Sequence, residues 1–152
     1  MHVVLVEPEI PQNTGNIART CALTGTVLHL VKPLGFSIDD RHLKRAGLDY
    51  WDKVEVNVWD SFWDLAKAYG PARFHLATTR THRSYVDITY HEGDFLVFGK
   101  ETRGLPEEIL AYCPDNLVRI PMRDIGRSLN LANSVAVILY EALRQQGFPG
   151  LK

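Results

Sequence analysis

The sequence has few cysteines and no long apolar run, which argues against a disulfide-rich protein and against a membrane-spanning one. Its two cysteines, Cys21 and Cys113, lie far apart and form no CxxC pair. We therefore expect neither a disulfide framework nor a zinc site, and a reducing cytoplasm is the natural location. No apolar stretch approaches the ~20 residues that a membrane-spanning helix needs. The apolar start of the chain has no basic lead and no small-residue cleavage site, which is typical of a first strand and not of a secretory signal.

The chain also lacks the excess of lysine and arginine that general polyanion binders carry. Its formal net charge is -1 and its pI is near 6.6, so any contact with nucleic acid must be local. The strongest local cluster is DDRHLKRAGLDYW, in which Arg41, Lys44 and Arg45 precede Tyr50 and Trp51. Taken alone, such a cluster is more often a solvated helix face.

Several fingerprints of nucleotide and hydrolase chemistry are absent as well. No GxGxxG follows a candidate strand, and GDFLVFGKE has neither the glycine spacing nor the Ser or Thr of a phosphate loop. GxSxG and HExxH do not occur, and the six histidines are scattered. Walker-type, serine-hydrolase and zinc-protease chemistry are therefore not expected, and we expect no metal site.

What the sequence does contain is a regular alternation of short apolar runs and helical stretches. The candidate strands are residues 2–6, 26–31, 54–58, 74–78, 94–98 and 116–120. The candidate helices are residues 13–24, 39 or 40 to 47, 60 or 61 to 70, a stretch with Pro106 in its first turn, and 128–146. The third strand alternates valines as an edge strand would, whereas the others suit burial on both faces. This order predicts one α/β domain over residues 1–152, with a mostly parallel sheet and helices on both faces.

Three segments rich in glycine or asparagine follow candidate strands, where such a sheet binds ligands. They are PEIPQNTGNIARTC from Pro8, LVFGKETRGLP from Leu96, and RIPMRDIGRSLNLANSVAVILYEA from Arg119. Each has an ordinary structural explanation by itself, since Asn13 or Ser128 can cap a helix and glycine can bend a turn. In the first segment, Asn13, Asn16 and Arg19 follow i, i+3 spacing off the apolar stripe, so we expect them to face a common ligand.

Together, and in this order, the three segments resemble the three motifs of the SPOUT 2′-O-methyltransferases. RAGLDYW and the Gly-Phe-Pro-Gly tail make the chain most similar to the group that methylates the wobble ribose of tRNA, at cytidine or modified uridine 34. The resemblance covers essentially the whole chain. It implies a C-terminal trefoil knot, S-adenosyl-L-methionine as methyl donor with S-adenosyl-L-homocysteine as product, and a homodimer that acts on the anticodon loop.

The resemblance also assigns a cofactor wall by motif position. Backbone at bends could recognise adenine, and glycine lets the main chain approach the ligand. The implied cofactor residues are Ala77, Thr78, Gly99, Gly104, Ile120, Ser128 and Leu129.

The same resemblance implies that Arg19 is the key catalytic residue. A guanidinium stays protonated, with a pKa above about 12, so it is a poor general base. We expect Arg19 to grip an RNA phosphate bidentately and align the 2′-hydroxyl, while the phosphate or a water accepts the proton. The alternative is an ordinary ion pair with Glu7, Glu9 or Glu101.

The expected RNA contacts combine amides, cations and one aromatic residue that could hold a single-stranded loop. They are Asn13, Asn16, Arg41, Lys44, Arg45, Arg127 and Tyr140. For Tyr140, a subunit contact and core packing are alternatives. Three other functions stay open: methylation of another tRNA or rRNA nucleotide, noncatalytic RNA binding, and a small-molecule-binding α/β module.

Overall fold

A computed structural model describes residues 1–47 and 50–152, so Leu48 and Asp49 of the RAGLDYW segment lie outside the described residues. The strands are β1 (His2–Val6), β2 (Val27–Val31), β3 (Val56–Trp59), β4 (Phe74–Ala77), β5 (Phe95–Phe98) and β6 (Leu117–Val118). The helices are α1 (Pro11–Thr24), α2 (Arg41–Gly47), α3 (Phe62–Tyr69), α4 (Glu107–Tyr112) and α5 (Leu131–Gln145). No helix in these ranges is long and apolar enough to cross a membrane.

The named strands form one parallel sheet in the order β3-β2-β1-β5-β4-β6. The predicted parallel sheet and the edge position of the third strand are both confirmed. The predicted valine alternation holds only in part, because Val54 and Val56 pack against the core whereas Val58 is exposed. Since all these strands run the same way, their carboxyl ends meet at one edge of the sheet.

Two cores cover the two faces of the sheet, as predicted for a sheet with helices on both sides. In β1, Val3 and Leu5 point into the core beneath α1 and α5, whereas Val4 and Val6 point into the core beneath α3 and α4. This follows from the two-residue period of a strand. Full burial of each such side chain contributes about 1.5–3 kcal/mol, so the central strands are the rigid support of the carboxyl edge.

The first helix begins earlier than the sequence predicted. Pro11 occupies its first turn and Ile10 is its N-cap, without a side-chain hydrogen bond. Proline suits this position because it has no N–H to leave unsatisfied and its φ is already helical. The interpretation of Asn13 as a helix cap is therefore wrong, and its side chain is available for other contacts. Gly25 ends the helix in the left-handed conformation, as predicted.

The last helix begins later than predicted. Its N-cap is Asn130, whose side chain accepts a hydrogen bond from the Asn133 N–H at 3.2 Å, so Ser128 is not the cap. Residues 119–130 stay irregular and mostly exposed. β6 is also shorter than predicted, because Arg119 leaves the sheet and pairs with Ser84 as an isolated bridge.

Candidate functional site

A cavity of about 470 Å³ opens where β4, β5 and β6 end. Its wall comes from the loops after these strands, together with Ile10 and Asn13 of the first segment. The structure brings all the residues of the expected cofactor wall to this cavity: Ala77, Thr78, Gly99, Gly104, Ile120, Ser128 and Leu129. The three segments, far apart in sequence, therefore meet around one space.

Gly99 allows the second segment to fold tightly against itself. A Cβ at this position would lie 2.0 Å from the Gly104 carbonyl carbon and 2.2 Å from the Leu105 nitrogen, so no other residue fits without a backbone shift. Gly104 has φ +68°, which favours glycine, and its N–H donates to the Lys100 carbonyl at 2.9 Å. The loop consequently presents main chain to the cavity.

Glu101 joins the first two segments. Its carboxylate accepts hydrogen bonds from the backbone N–H groups of Glu9, at 2.8 Å, and Ile10, at 3.1 Å, and from the side-chain amide of Asn13, at 3.4 Å. Hydrogen bonds to an ionised acceptor are stronger than neutral ones. The Glu101 carboxylate thus serves as an anchor for the turn that leads into α1.

Asn13 extends this connection to the third segment. Its side-chain oxygen accepts a 3.1 Å hydrogen bond from the Asn130 amide, and the residue is only 7% exposed. Sequence reasoning missed Asn130 and considered Glu101 only as an ion-pair partner of Arg19. Their positions inside the motifs were the available signal, but nothing in the sequence shows that these side chains meet.

Arg19 lies elsewhere. It is exposed on α1, and it is not among the described residues that line the cavity. Asn16 is also exposed. Asn16 and Arg19 therefore do not face the cavity that Asn13 lines in the same chain, because residues six apart on an α-helix point about 120° from each other. A ligand shared by the three residues across two protomers stays a prediction. Of the three, only Asn13 reaches the cavity.

The guanidinium of Arg19 contacts an aromatic ring. Its Cζ lies 5.0 Å from the centroid of Tyr50. The carboxylates considered as alternatives have other partners, because Glu101 accepts the hydrogen bonds described above and Glu9 binds Thr102 at 2.7 Å. Glu7 lies 3.9 Å from Lys100. Within the described residues, the alternative ion pair of Arg19 is not formed.

The basic residues of α2 lie on a helix that packs against α1, the helix that carries Arg19. Arg41 and Arg45 are exposed, and the Lys44 ammonium is 3.7 Å from the Asp39 carboxylate. They make a second polar surface, distinct from the cavity wall. We call Arg19, Arg41, Lys44 and Arg45 the basic surface.

The remaining predicted RNA residues lie near the cavity and on the last helix. Arg127 is exposed in the 119–130 loop, next to Ser128 of the cavity wall. Tyr140 is 45% exposed on α5, with its ring centroid 6.5 Å from that of Phe148. The core-packing alternative for Tyr140 is therefore wrong.

The cavity wall also contains three arginines: Arg80 belongs to RTHR, a second basic segment in the sequence that could contact nucleic acid, whereas Arg103 and Arg119 were not predicted. Arg80 forms an ion pair with Glu107, and Arg119 donates to the Thr79 carbonyl at 2.9 Å. Arg103 is exposed at the wall. The chain is acidic overall, so only the fold shows that cations gather at this opening.

The two thiols have the wrong properties for nucleophiles. Burial raises the pKa of Cys21 to about 12 and that of Cys113 to about 11. Both therefore stay protonated near neutral pH, and neither lines the cavity. Among the described residues, no group of three or more His, Cys, Asp or Glu side chains is placed to hold a metal ion.

A parallel sheet with a loop-lined cavity at its carboxyl edge defines a ligand-binding α/β protein. The chain belongs to the SpoU rRNA Methylase family, whose sequence model matches residues 1–140. It is 52% identical to the tRNA (cytidine(34)-2'-O)-methyltransferase of Saccharophagus degradans, over 99% of each chain. The resemblance read from the three segments is thereby confirmed.

Solved structures agree with this assignment. One, on the 2-OH methylation of C/U34 on tRNA, has a TM-score of 0.91 and 48% identity, and the match covers 96% of this chain and 95% of that one. Another is the SpoU methyltransferase AviRb from Streptomyces viridochromogenes in complex with the cofactor AdoMet. Its TM-score is 0.82 with 26% identity, over 96% of this chain and 60% of that one.

Proposed function

We propose that this protein transfers a methyl group from S-adenosyl-L-methionine to the ribose 2′-hydroxyl of wobble nucleotide 34, a cytidine or modified uridine, of tRNA. The observation that carries the proposal is the convergence of three separated segments on one cavity. The whole-chain similarity to enzymes named for this reaction supports it. We also propose that residues 1–152 form a single domain and that the enzyme works in the cytoplasm, where its tRNA substrate is.

The residues of the cavity fit the cofactor. A volume of about 470 Å³ lies within the range of roughly 300–1,000 Å³ for small-molecule sites. Ala77, Ile120 and Leu129 offer apolar surface for a purine, and the Gly99 turn offers main-chain donors and acceptors. When bound, the cofactor supplies an electrophilic methyl group on a sulfonium. The protein's part is to place the ribose oxygen in line with that methyl group.

Arg19 would align the ribose by gripping a neighbouring phosphate. Its planar guanidinium matches two phosphate oxygens at once, which a lysine cannot do. As the ribose oxygen forms its bond to the methyl carbon and the sulfur–carbon bond breaks, the hydroxyl proton passes to that phosphate or to a water. Arg19 stays protonated throughout.

Because Arg19 does not line the cavity of its own chain, one protomer alone does not complete this site. We propose a homodimer with two-fold symmetry, in which α1 of one protomer approaches the cavity of its partner. The exposed ring of Tyr140 on α5 would lie in that interface. In a dimer with a two-fold axis, both protomers use the same surface for the interface. Each dimer would therefore hold two complete sites.

The anticodon loop would lie between the basic surface and the cavity. Arg41, Lys44 and Arg45 would hold phosphates, with Asn13, Asn16 and Arg127 contacting the nucleotides nearest the reacting ribose. Such contacts act on an exposed single-stranded loop, as in other single-stranded RNA readers. A local cationic patch suffices because the sequence-independent part of binding depends on phosphate contacts.

We also propose that α5 is threaded through the preceding chain as a trefoil knot, a rare departure from unknotted topology. The segment between β4 and β5 lies over α5, where Gln145 accepts from the Tyr90 N–H at 2.9 Å and donates to the Ile88 carbonyl at 3.0 Å. The same segment binds Arg119, whose N–H donates to the Arg83 carbonyl at 2.8 Å. These contacts support a closed loop around the last helix.

The test is to incubate the purified protein with labelled cofactor and total tRNA and to map the product nucleosides. We expect label on the ribose of nucleotide 34. Label at another tRNA or rRNA position would show that the enzyme methylates a different nucleotide. RNA binding without methyl transfer would favour the noncatalytic alternative. Cofactor binding indifferent to RNA would favour a small-molecule-binding module.

Arg19→Lys tests the phosphate grip in the same assay. We expect turnover to fall at least about tenfold, because the bidentate fork is lost while the charge remains. Arg73→Lys is the matched control, since Arg73 pairs with Asp94 at the amino end of β4 and does not line the cavity, and we expect it to keep full activity. Near-normal turnover of Arg19→Lys would argue against bidentate clamping.

A further inference from the structure

Tyr50 lies in a turn that packs beside α1. Its carbonyl accepts the Lys53 N–H at 2.9 Å, which closes a short helical turn at Trp51–Lys53. That turn packs on α1, and Trp51 packs against the core beneath α1 and α5. Tyr50 is itself half-buried. The backbone that carries this ring is therefore anchored to α1 next to Arg19.

Arg19 places its guanidinium over this ring. The 5.0 Å separation between its Cζ and the ring centroid is within the roughly 6 Å limit of a cation–π contact. Within residues 1–47 and 50–152, no carboxylate lies within ion-pair distance of Arg19 and no acceptor takes a hydrogen bond from its side chain. Among these residues, the guanidinium contacts the ring of Tyr50 and has neither an ion-pair nor a hydrogen-bond partner.

The contact with Tyr50 leaves the hydrogen-bond donors of the Arg19 guanidinium available for another partner. Cation–π attraction uses the face of the planar group, whereas hydrogen bonds use the N–H donors at its edge. A carboxylate partner would occupy the edge and compete with a phosphate. An aromatic partner restrains the long side chain and leaves the donors available.

We propose that Tyr50 is a positioning residue for Arg19: its ring holds the guanidinium so that the edge can receive an RNA phosphate bidentately. This rests on the proposed function, because orientation of Arg19 matters only if Arg19 acts on RNA. Ordering the side chain in advance lowers the entropy lost on binding. Loss of the Tyr50 ring should therefore impair alignment of the ribose but should not change the affinity of the cavity for the cofactor.

The first experiment compares Tyr50→Phe with Tyr50→Leu. Phe keeps the π face, whereas Leu keeps apolar bulk without it. We expect Tyr50→Phe to stay within about twofold of the parent and Tyr50→Leu to lose about 3- to 30-fold in kcat/KM for tRNA, the range of a cation–π contact. The Kd for S-adenosyl-L-homocysteine should not change in either variant. Equal activity of the two variants would overturn the proposal.

A double-mutant cycle separates positioning from a purely structural role. In an Arg19→Ala background, Tyr50→Leu should cause no further loss of kcat/KM or of tRNA affinity, because the group to be positioned is gone. An equal loss in both backgrounds would show that Tyr50 acts independently of Arg19 and would overturn the proposal.

A series of fluorinated phenylalanines at position 50 covers the case in which Tyr50→Leu does not fold. One to three fluorines withdraw electron density from the ring while its shape is nearly kept, so kcat/KM should fall stepwise with fluorination. A flat series would overturn the proposal. If Arg19→Ala is fully active while the parent methylates tRNA, this inference fails and the proposed function stands. If the parent transfers no methyl group, both fail.

Discussion

The side-chain amide of Asn130 donates a 3.1 Å hydrogen bond to the side-chain oxygen of Asn13, which joins the loop before the last helix to the first turn of α1. Asn130 also caps α5 through its own side-chain oxygen. One residue thus begins a helix and fastens two of the three segments that surround the cavity. Through Asn13 the connection continues to Glu101.

Replacing Asn130 should separate these two roles. Asn130→Ala removes the cap and the link, and we expect it to lower the free energy of unfolding by about 1–2 kcal/mol. Asn130→Ser keeps a capping oxygen but is too short to reach Asn13, so most of the stability should return. Both variants should bind S-adenosyl-L-homocysteine more weakly. Urea unfolding and titration calorimetry measure the two effects, and unchanged ligand affinity in Asn130→Ser would show that the link does not shape the cavity.

Gly99→Ala should distort the turn of the second segment and thereby prevent cofactor binding. The added methyl group would meet the backbone of Gly104 and Leu105, and overpacking of this kind costs about 1–3 kcal/mol. We expect ligand binding to be lost, because the cavity wall must shift. Gly25→Ala is the matched control: Gly25 does not line the cavity and a Cβ there meets no atom within 4 Å, so its cost is only the left-handed backbone, about 1–2 kcal/mol. Calorimetry that finds full binding by Gly99→Ala would contradict the turn geometry.

Stability should fall as the pH drops below the usual range of a histidine, because of His29. This side chain is fully buried, accepts from the Trp59 indole at 3.0 Å and lies 2.9 Å from the His2 ring. Burial, with a smaller effect of His2, lowers the pKa of His29 from 6.5 to about 4. Between pH 6.5 and 4, His29 is therefore protonated in the unfolded chain but neutral in the folded chain. The free energy of unfolding is highest above pH 6.5 and decreases as the pH falls towards 4.

The expected loss is on the order of 3 kcal/mol across that interval, measured by urea unfolding between pH 7.5 and 4. His29→Gln should be less stable at neutral pH but should show a flatter profile. Burial raises the pKa of Asp94, but hydrogen bonds from His75, the His91 N–H and Arg73 outweigh it and lower that pKa overall, so the contribution of Asp94 disappears only at still lower pH. A parent profile that stays flat down to pH 4.5 would contradict the assignment to His29.

Tyr140→Glu should break the proposed dimer. A carboxylate buried in an interface without a partner is costly, and two-fold symmetry places the change in the interface twice. Trp63→Glu is a close control, since Trp63 on α3 is also an aromatic residue with 45% exposure. Light scattering should show a monomer only for Tyr140→Glu, together with a loss of methyl transfer. A dimer that survives this change would place the interface elsewhere.

Local patterns predicted most of the architecture. Residues 2–6 form a strand as predicted, and Ser61 and Gly70 bound α3 as their capping chemistry indicated. Errors arose where two residues compete for one local role. Pro11 starts α1 ahead of Asn13, and Asn130 caps α5 in place of Ser128. In both cases the winning residue acts locally: Pro11 has a helical φ and no N–H to satisfy, and the Asn130 side chain accepts the Asn133 N–H.

By itself, the sequence determined the order of the strands and helices, the family, and seven residues of the cavity wall, because each of these depends on short-range periodicity or on motif order. Only the tertiary structure decided that Asn13 turns inward while Arg19 turns outward onto Tyr50. It also decided that Glu101 and Asn130 meet at Asn13. The physical reason is that a hydrogen bond or a cation–π contact depends on distance in space, and no local pattern records which remote side chains the folded sheet brings within reach.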